Sequence, residues 1–172
     1  MLKDFFKKRL LFNFDKYFKR REKYFKTKNP FLKWYLLYWI KKQNQKMCAD
    51  IYIDSKMKSD IFLSRPQFNP HGINGVVIAG GAKIGRNCHI SHQVTIGASR
   101  NGRPVIGDNV YIGPGAKIFG DIHIGNNVRI GANCPVFFDV PDNATVVLPK
   151  PRIIIKENGY NYFTIDEENE KK

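Results

Sequence analysis

Ile106-Gly-Asp-Asn-Val-Tyr, Ile112-Gly-Pro-Gly-Ala-Lys, Ile118-Phe-Gly-Asp-Ile-His, Ile124-Gly-Asn-Asn-Val-Arg and Ile130-Gly-Ala-Asn-Cys-Pro135 repeat in sixes. The same phase stands upstream, from Ile78 through Ile84 and Ile90 to Ile96, so nine isoleucines fall in register. Four positions after each, a small or branched residue recurs: Ala82, Cys88, Val94, Val110, Ala116, Ile122, Val128 and Cys134. A period of six with two inward positions per unit predicts a parallel β-helix with three-sided coils, each unit one short strand and one corner. The first position stacks on its equivalent one coil away. The fifth is also internal but admits only small or branched groups. Gly and Asn at the second to fourth positions supply the corner geometry.

Ile96 and Ile106 are ten apart rather than six, so four extra residues leave the coil within Gly97-Ala-Ser-Arg-Asn-Gly-Arg-Pro-Val105. A polar, Gly-containing excursion on a rigid scaffold is where function usually sits.

The segment before the repeat differs. Residues 1–49 hold 15 Lys/Arg against Asp4, Asp15 and Glu22, a net of +12 out of +14 for the whole chain, and 13 of the 23 aromatic residues. Basic, aromatic and free of Gly, the segment predicts amphipathic helix, broken in two at Asn29-Pro30 because Pro disfavours helix at the preceding residue. Three roles are open to it. It caps the β-helix with its aromatics; it lies on an anionic membrane with Trp34, Tyr35, Tyr38 and Trp39 at headgroup depth; or it binds nucleic acid through charge, for which no recognition motif is present. The expected organisation is residues 1–49 helical, 50–155 β-helix and 156–172 a solvated tail.

The 172 residues suffice for one domain with a real core. The composition, 42% hydrophobic and 26% charged, excludes wholesale disorder and a collagen-like chain. Cys48, Cys88 and Cys134 form no CxxC pair, which excludes a disulfide framework and fits a reducing cytoplasm. No stretch approaches the roughly 20 apolar residues of a spanning helix.

His71-Gly-Ile-Asn-Gly-Val-Val-Ile78, Ile90-Ser-His-Gln-Val-Thr-Ile-Gly97 and Ile112-Gly-Pro-Gly-Ala-Lys-Ile118 together resemble serine acetyltransferases and their sugar O-acetyltransferase relatives. The resemblance covers roughly residues 50–153, with Asp50-Ile51 and Lys56-Met57 in the first coil, and Val140-Pro141 and Lys150-Pro-Arg-Ile153 at the exit. It implies a left-handed β-helix, an exception to right-handed crossovers. It also implies acetyl transfer from acetyl-CoA to a hydroxyl, in a homotrimer with sites between subunits. A hydroxyl needs a base, and histidine suits that task near neutral pH. The resemblance makes His71 the base and Asp50 the carboxylate that orients it, and it places Ala98, Pro114, Gly115 and Ala132 against acetyl-CoA. His92, Pro114 and Ala132 share one corner, whose small residues leave room for the pantetheine arm. His92 then reaches the thioester or acceptor, or is a surface side chain. Lys150 and Arg152 pair with the CoA phosphates or stay exposed. His89 and His123, at sixth positions, are expected on solvated faces. No metal is expected, although hexapeptide carbonic anhydrases hold one on three histidines and His71, His89 and His92 are the set to weigh.

The acceptor side departs from the serine-specific pattern. Gly102-Arg103-Pro104 stands where Arg-His-Pro is usual, Pro70 rather than Asp precedes His71, about six residues are inserted within Ser64–Asn69, and Leu148 replaces a frequent Gly. Only about 50 residues precede the repeat, against a helical domain of well over a hundred. The expectation is therefore an O-acetyltransferase for a sugar hydroxyl, in surface polysaccharide synthesis, with a lipid-linked saccharide as candidate acceptor at the cytoplasmic face and no nucleic-acid partner. The alternatives are serine O-acetylation in cysteine synthesis and a non-catalytic trimeric scaffold.

Overall fold

The computed structural model describes residues 14–52, 56–57, 62–63 and 73–155. His71, Pro70, the insertion within Ser64–Asn69 and the tail at 156–172 lie outside the described residues.

Among the described residues two helices come first, α1 (Phe14–Lys26) and α2 (Pro30–Lys46). The break falls where Asn29-Pro30 predicts it. The Asn29 side chain accepts from the Leu32 amide at 3.1 Å, and Pro30 opens the helix, where its missing N–H costs nothing.

Fourteen strands of two or three residues follow among the described residues and stack into three parallel sheets. Sheet A holds β1 (Asp50–Ile51), β4 (Val77–Ile78), β7 (Thr95–Gly97), β10 (Lys117–Phe119) and β13 (Pro135–Val136). Sheet B holds β2 (Lys56–Met57), β5 (Lys83–Ile84), β8 (Val105–Ile106) and β11 (His123–Ile124), extended by a bridge from Ile124 to Val140. Sheet C holds β3 (Phe62–Leu63), β6 (His89–Ile90), β9 (Tyr111–Ile112), β12 (Arg129–Ile130) and β14 (Thr145–Val146). The chain visits A, B and C in turn, a solenoid of about four turns.

All nine in-phase isoleucines are buried, and each pairs with an isoleucine wherever a coil of the repeat lies beside it, as in Ile78, Ile96 and Ile118 of sheet A. The fifth-position residues are buried as well. The fourth position turns the corner: Gly81, Asn87, Gln93, Asn109, Gly115, Asn127 and Asn133 all have positive φ. An L residue pays for that conformation, which Gly avoids and Asn tolerates.

The phase reaches further back than the nine isoleucines. Ile51, Met57 and Leu63 stand six apart and pair with Ile78, Ile84 and Ile90. Leu63 to Ile78 is then fifteen residues where Ile90 to Ile96 is six, nine more than the step of the repeat needs.

Candidate functional site

The three corners of the prism are not equivalent. The corner from sheet B to sheet C is a structural seam. Asn87, Asn109, Asn127 and Asn143 pass hydrogen bonds from each Nδ2 to the next Oδ1 at 2.8, 3.1 and 3.0 Å. Beside them Asp108, Asn126 and Asp142 accept the amides of Arg86, Asp108 and Asn126. Those hydrogen bonds hold the Asp142 carboxyl below its usual range. Side chains spent on each other leave that corner little to offer a ligand.

The corner from sheet C to sheet A is built from backbone instead. The amides of Gln93, Gly115 and Asn133 donate to the carbonyls of Asn74, His92 and Pro114, so Asn74, His92, Pro114 and Ala132 form one vertical edge. Its upper part carries only Pro114, Gly115, Ala132 and Asn133, with Ala132 exposed and Pro114 and Gly115 half-buried. At its foot, Cys48 takes the left-handed turn that Gly75 repeats one coil up. The Gly75 amide donates to Met47 at 3.2 Å, and the Asp50 amide to Val76 at 2.9 Å. The Ile73–Val76 turn, anchored by fully buried Ile73 and Val76, thus sits directly on the entry to β1. Asp50 is exposed there. The structure brings the turn that follows His71 in the chain, His92, Pro114, Gly115 and Ala132 to one edge, with Asp50 on sheet A beside its foot, in register with Val77 and Thr95. The chain leaves sheet C toward this corner after β14, with Lys150 and Arg152 exposed beyond it.

Ala98 is elsewhere. It begins the third corner, between sheets A and B, a sheet's width from His92. The excursion there is tightly folded. The Ser99 amide donates to the Gly102 carbonyl, and Ser99 Oγ accepts from the amides of Asn101 and Gly102. Arg103 clamps the loop, donating from Nε to Gly80 at 3.0 Å and from Nη1 to Ser99 and Gly102, both at 3.2 Å. The Phe119 ring and the Asp121 carboxylate fill the places where side chains would stand on Gly97 and Gly102. Sequence reasoning missed the role of Arg103, since nothing in Gly102-Arg103-Pro104 says where a guanidinium will turn.

His123 is exposed, as expected, but His89 is not a solvated side chain. It is half-buried and stacked on Tyr111, its pairing partner on sheet C, with centroids 5.1 Å apart and planes at 12°. Burial lowers its pKa. Its place on the outer face of sheet C separates it from the backbone edge that carries His92. Among the described residues, no three His, Cys, Asp or Glu side chains are placed to hold a metal. All three cysteines are free thiols, with Cys88 and Cys134 buried.

Residues 103–134, part of the repeat region, match the bacterial transferase hexapeptide (six repeats) family. The relatives that it is similar to are serine acetyltransferases. The one from Staphylococcus xylosus is 45% identical over 101 residues, covering 56% of this chain and 46% of that protein. Among solved structures, serine acetyltransferase isoform 3 from Entamoeba histolytica, in complex with cysteine, aligns at a TM-score of 0.61 and 36% identity over 72% of this chain and 43% of that one. The Brucella abortus serine acetyltransferase in complex with coenzyme A aligns at 0.58 and 31% identity, over 70% of this chain and 47% of that one. The fold is the left-handed parallel β-helix that the resemblance implies, preceded by a helical segment. The chain spans about half the length of the relatives it matches. These relatives are named as serine acetyltransferases, and none of them is named for a sugar acceptor or for polysaccharide synthesis.

Proposed function

We propose that this protein is an O-acetyltransferase that uses acetyl-CoA, with L-serine as its first candidate acceptor. What supports this is the edge between sheets C and A, where the turn after His71 lies one coil beneath His92 and a stretch of nearly bare backbone, with Asp50 beside it on sheet A. The likeness to serine acetyltransferases supports the same reading.

In this scheme His71 takes the proton of the attacking hydroxyl and Asp50 orients its ring. Acetyl-CoA supplies an acetyl group activated as a thioester. Pro114, Gly115 and Ala132 fit its thin arm because they raise no long side chain along the edge. Lys150 and Arg152, exposed beyond it, are the cations for its phosphates. His92, on the same edge, stands one coil above Asn74 and meets the thioester or the acceptor. Ala98 and its loop belong to the opposite side of sheet A. A homotrimer, which sets one subunit's edge beside another's loop, would reunite them. The bilayer apart, the cytoplasm is the compartment that suits acetyl-CoA and the free thiols.

Thiol release from acetyl-CoA tests the reading, with L-serine and a panel of sugars as acceptors. Serine-dependent release is expected, falling by about 10²–10⁴-fold in His71→Ala with the fold intact. Turnover with a sugar and not with serine would overturn the acceptor. No turnover with either would leave a scaffold role. The sugar reading rests on the acceptor side: Arg103 is tied to the loop backbone rather than reaching outward, and the first coil has nine residues more than the step of the repeat needs.

A further inference from the structure

Helix α2 has two unlike faces. Leu36, Ile40 and Asn44 are buried, Ile40 within the core cluster of the β-helix and Asn44 against the Ile51 carbonyl. On the opposite side Phe31, Trp34, Tyr35 and Tyr38, at helical spacings of three and four, are 83, 71, 51 and 48% exposed. The hairpin covers the first coil with its other face, so these four rings, left in water along one stripe, take no part in that cap. The helix they occupy belongs to a hairpin, residues 14–46, with 11 Lys/Arg against Asp15 and Glu22, a net of +9. Lys41 and Lys42 continue the exposed side toward the C-terminus of α2, and Lys42 Nζ lies 5.6 Å from the Tyr38 ring centre. Among the described residues, no helix is long and apolar enough to cross a membrane.

We propose that the Phe31, Trp34, Tyr35 and Tyr38 face of α2 lies on an anionic lipid surface, parallel to it. Tryptophan and tyrosine rings with cations beside them match the boundary between headgroup and acyl chain. The charge decides among the occupants. A second copy seated on this face would bring a second net +9 against the first, whereas anionic headgroups complement it. The ring geometry speaks against stacked nucleobases. Trp34 and Tyr38 are already stacked on each other, with centroids 6.2 Å apart and planes at 19°, so each has one face turned to the other rather than free for a base.

The test uses the full chain and vesicles of phosphatidylcholine with 30% phosphatidylserine (~30%, an anionic fraction chosen to mimic a charged leaflet). Co-sedimentation at low salt is expected, at least about tenfold stronger than on phosphatidylcholine alone, and weakening as salt rises. Trp34 and Trp39 are the only tryptophans, so a Trp39→Phe background makes the emission report on Trp34 alone. A blue shift on adding anionic vesicles is expected. Trp34→Ser with Tyr38→Ser should lose at least about tenfold in vesicle affinity with circular dichroism unchanged, because both side chains are exposed. No binding at low salt, binding untouched by that double substitution, or a concentration-dependent blue shift without lipid, which would mark a second copy on this face, each overturns the proposal. Acetyl transfer in solution is measured separately, so failure of one reading leaves the other standing.

Discussion

The Tyr17 hydroxyl of α1 donates to Asn44 Oδ1 of α2 at 3.0 Å, and the same amide donates from Nδ2 to the Ile51 carbonyl at 3.0 Å. Three parts of the chain, two helices and the first strand, are thus held through one buried carboxamide. Arg21 adds a second tie from α1, donating to the Tyr52 carbonyl at 3.1 Å. Tyr17→Phe leaves the Asn44 acceptor buried without its donor and should cost about 1–3 kcal/mol. Denaturant unfolding at fixed protein concentration measures it; an unchanged midpoint would show that the Tyr17 hydroxyl adds nothing to the stability of the hairpin.

The isoleucine stack gives a graded expectation. Ile112 is fully buried between Ile90 and Ile130. Ile112→Val should cost about 0.5–1.5 kcal/mol and Ile112→Ala about 2–5 kcal/mol, because the flanking coils are tied by backbone hydrogen bonds and collapse little into the cavity. Equal losses in the two variants would argue that the coils relax.

The asparagine seam separates backbone from side chain. Asn109 holds φ at 59° and passes a hydrogen bond each way. Asn109→Gly keeps the turn and loses the ladder. Asn109→Ala loses both and should be less stable than the glycine variant by roughly 1–2 kcal/mol, the cost of a left-handed L residue. Thermal or denaturant unfolding of the pair is the measurement, and alanine equal to glycine would refute the account.

His89 supplies a pH dependence. Its pKa is lowered by burial, so the unfolded chain binds the proton more readily. The contribution to stability is complete above the ordinary histidine value of 6.5 and is lost as pH falls through the lowered folded value. Unfolding midpoints taken from pH 8 down to 5 (roughly the window in which histidine changes charge) should fall less steeply in His89→Phe, which keeps the stack on Tyr111. Identical slopes would exclude His89 as the source.

Arg103→Ala should release the loop from Gly80, Ser99 and Gly102 without disturbing the core, since the residue is exposed. If the loop shapes the acceptor site, KM for the acceptor should rise by about tenfold, the size of a lost charged hydrogen bond or two, with KM for acetyl-CoA little changed. Steady-state kinetics with each substrate varied decides it. A rise confined to acetyl-CoA would move the loop to the donor side.

The coil was legible because burial is periodic. Ile78 to Ile130 each face the axis, and a period of six admits few other folds. Ile51, Met57 and Leu63 keep that phase, yet no repeated Gly or Asn follows them; the resemblance puts Ile51 and Met57 in the first coil, and only the strand pairing adds Leu63. The shared edge of His92, Pro114 and Ala132 follows from counting in sixes. That Ala98 falls on another corner follows from the same counting, but the resemblance groups it with the others by function rather than by position. The stacking of His89 was hidden because an outward residue can still be covered by the neighbour one coil away. The direction of the Arg103 side chain was hidden because its partners are backbone carbonyls, which carry no signature in the sequence.

The tie from Asn44 to Ile51 has one more consequence. Strand β1 is the outermost strand of sheet A, and a parallel stack of this kind offers its last strand as a template for any chain that can extend it. The Ile51 carbonyl faces away from β4, so it is one of the groups an incoming strand would grip, and Asn44 already occupies it. The helical hairpin therefore acts as a stop that gives the solenoid a defined beginning. A chain shortened to begin at Ala49 would expose a growing tip, and its tendency would be to add copies of itself end to end into filaments.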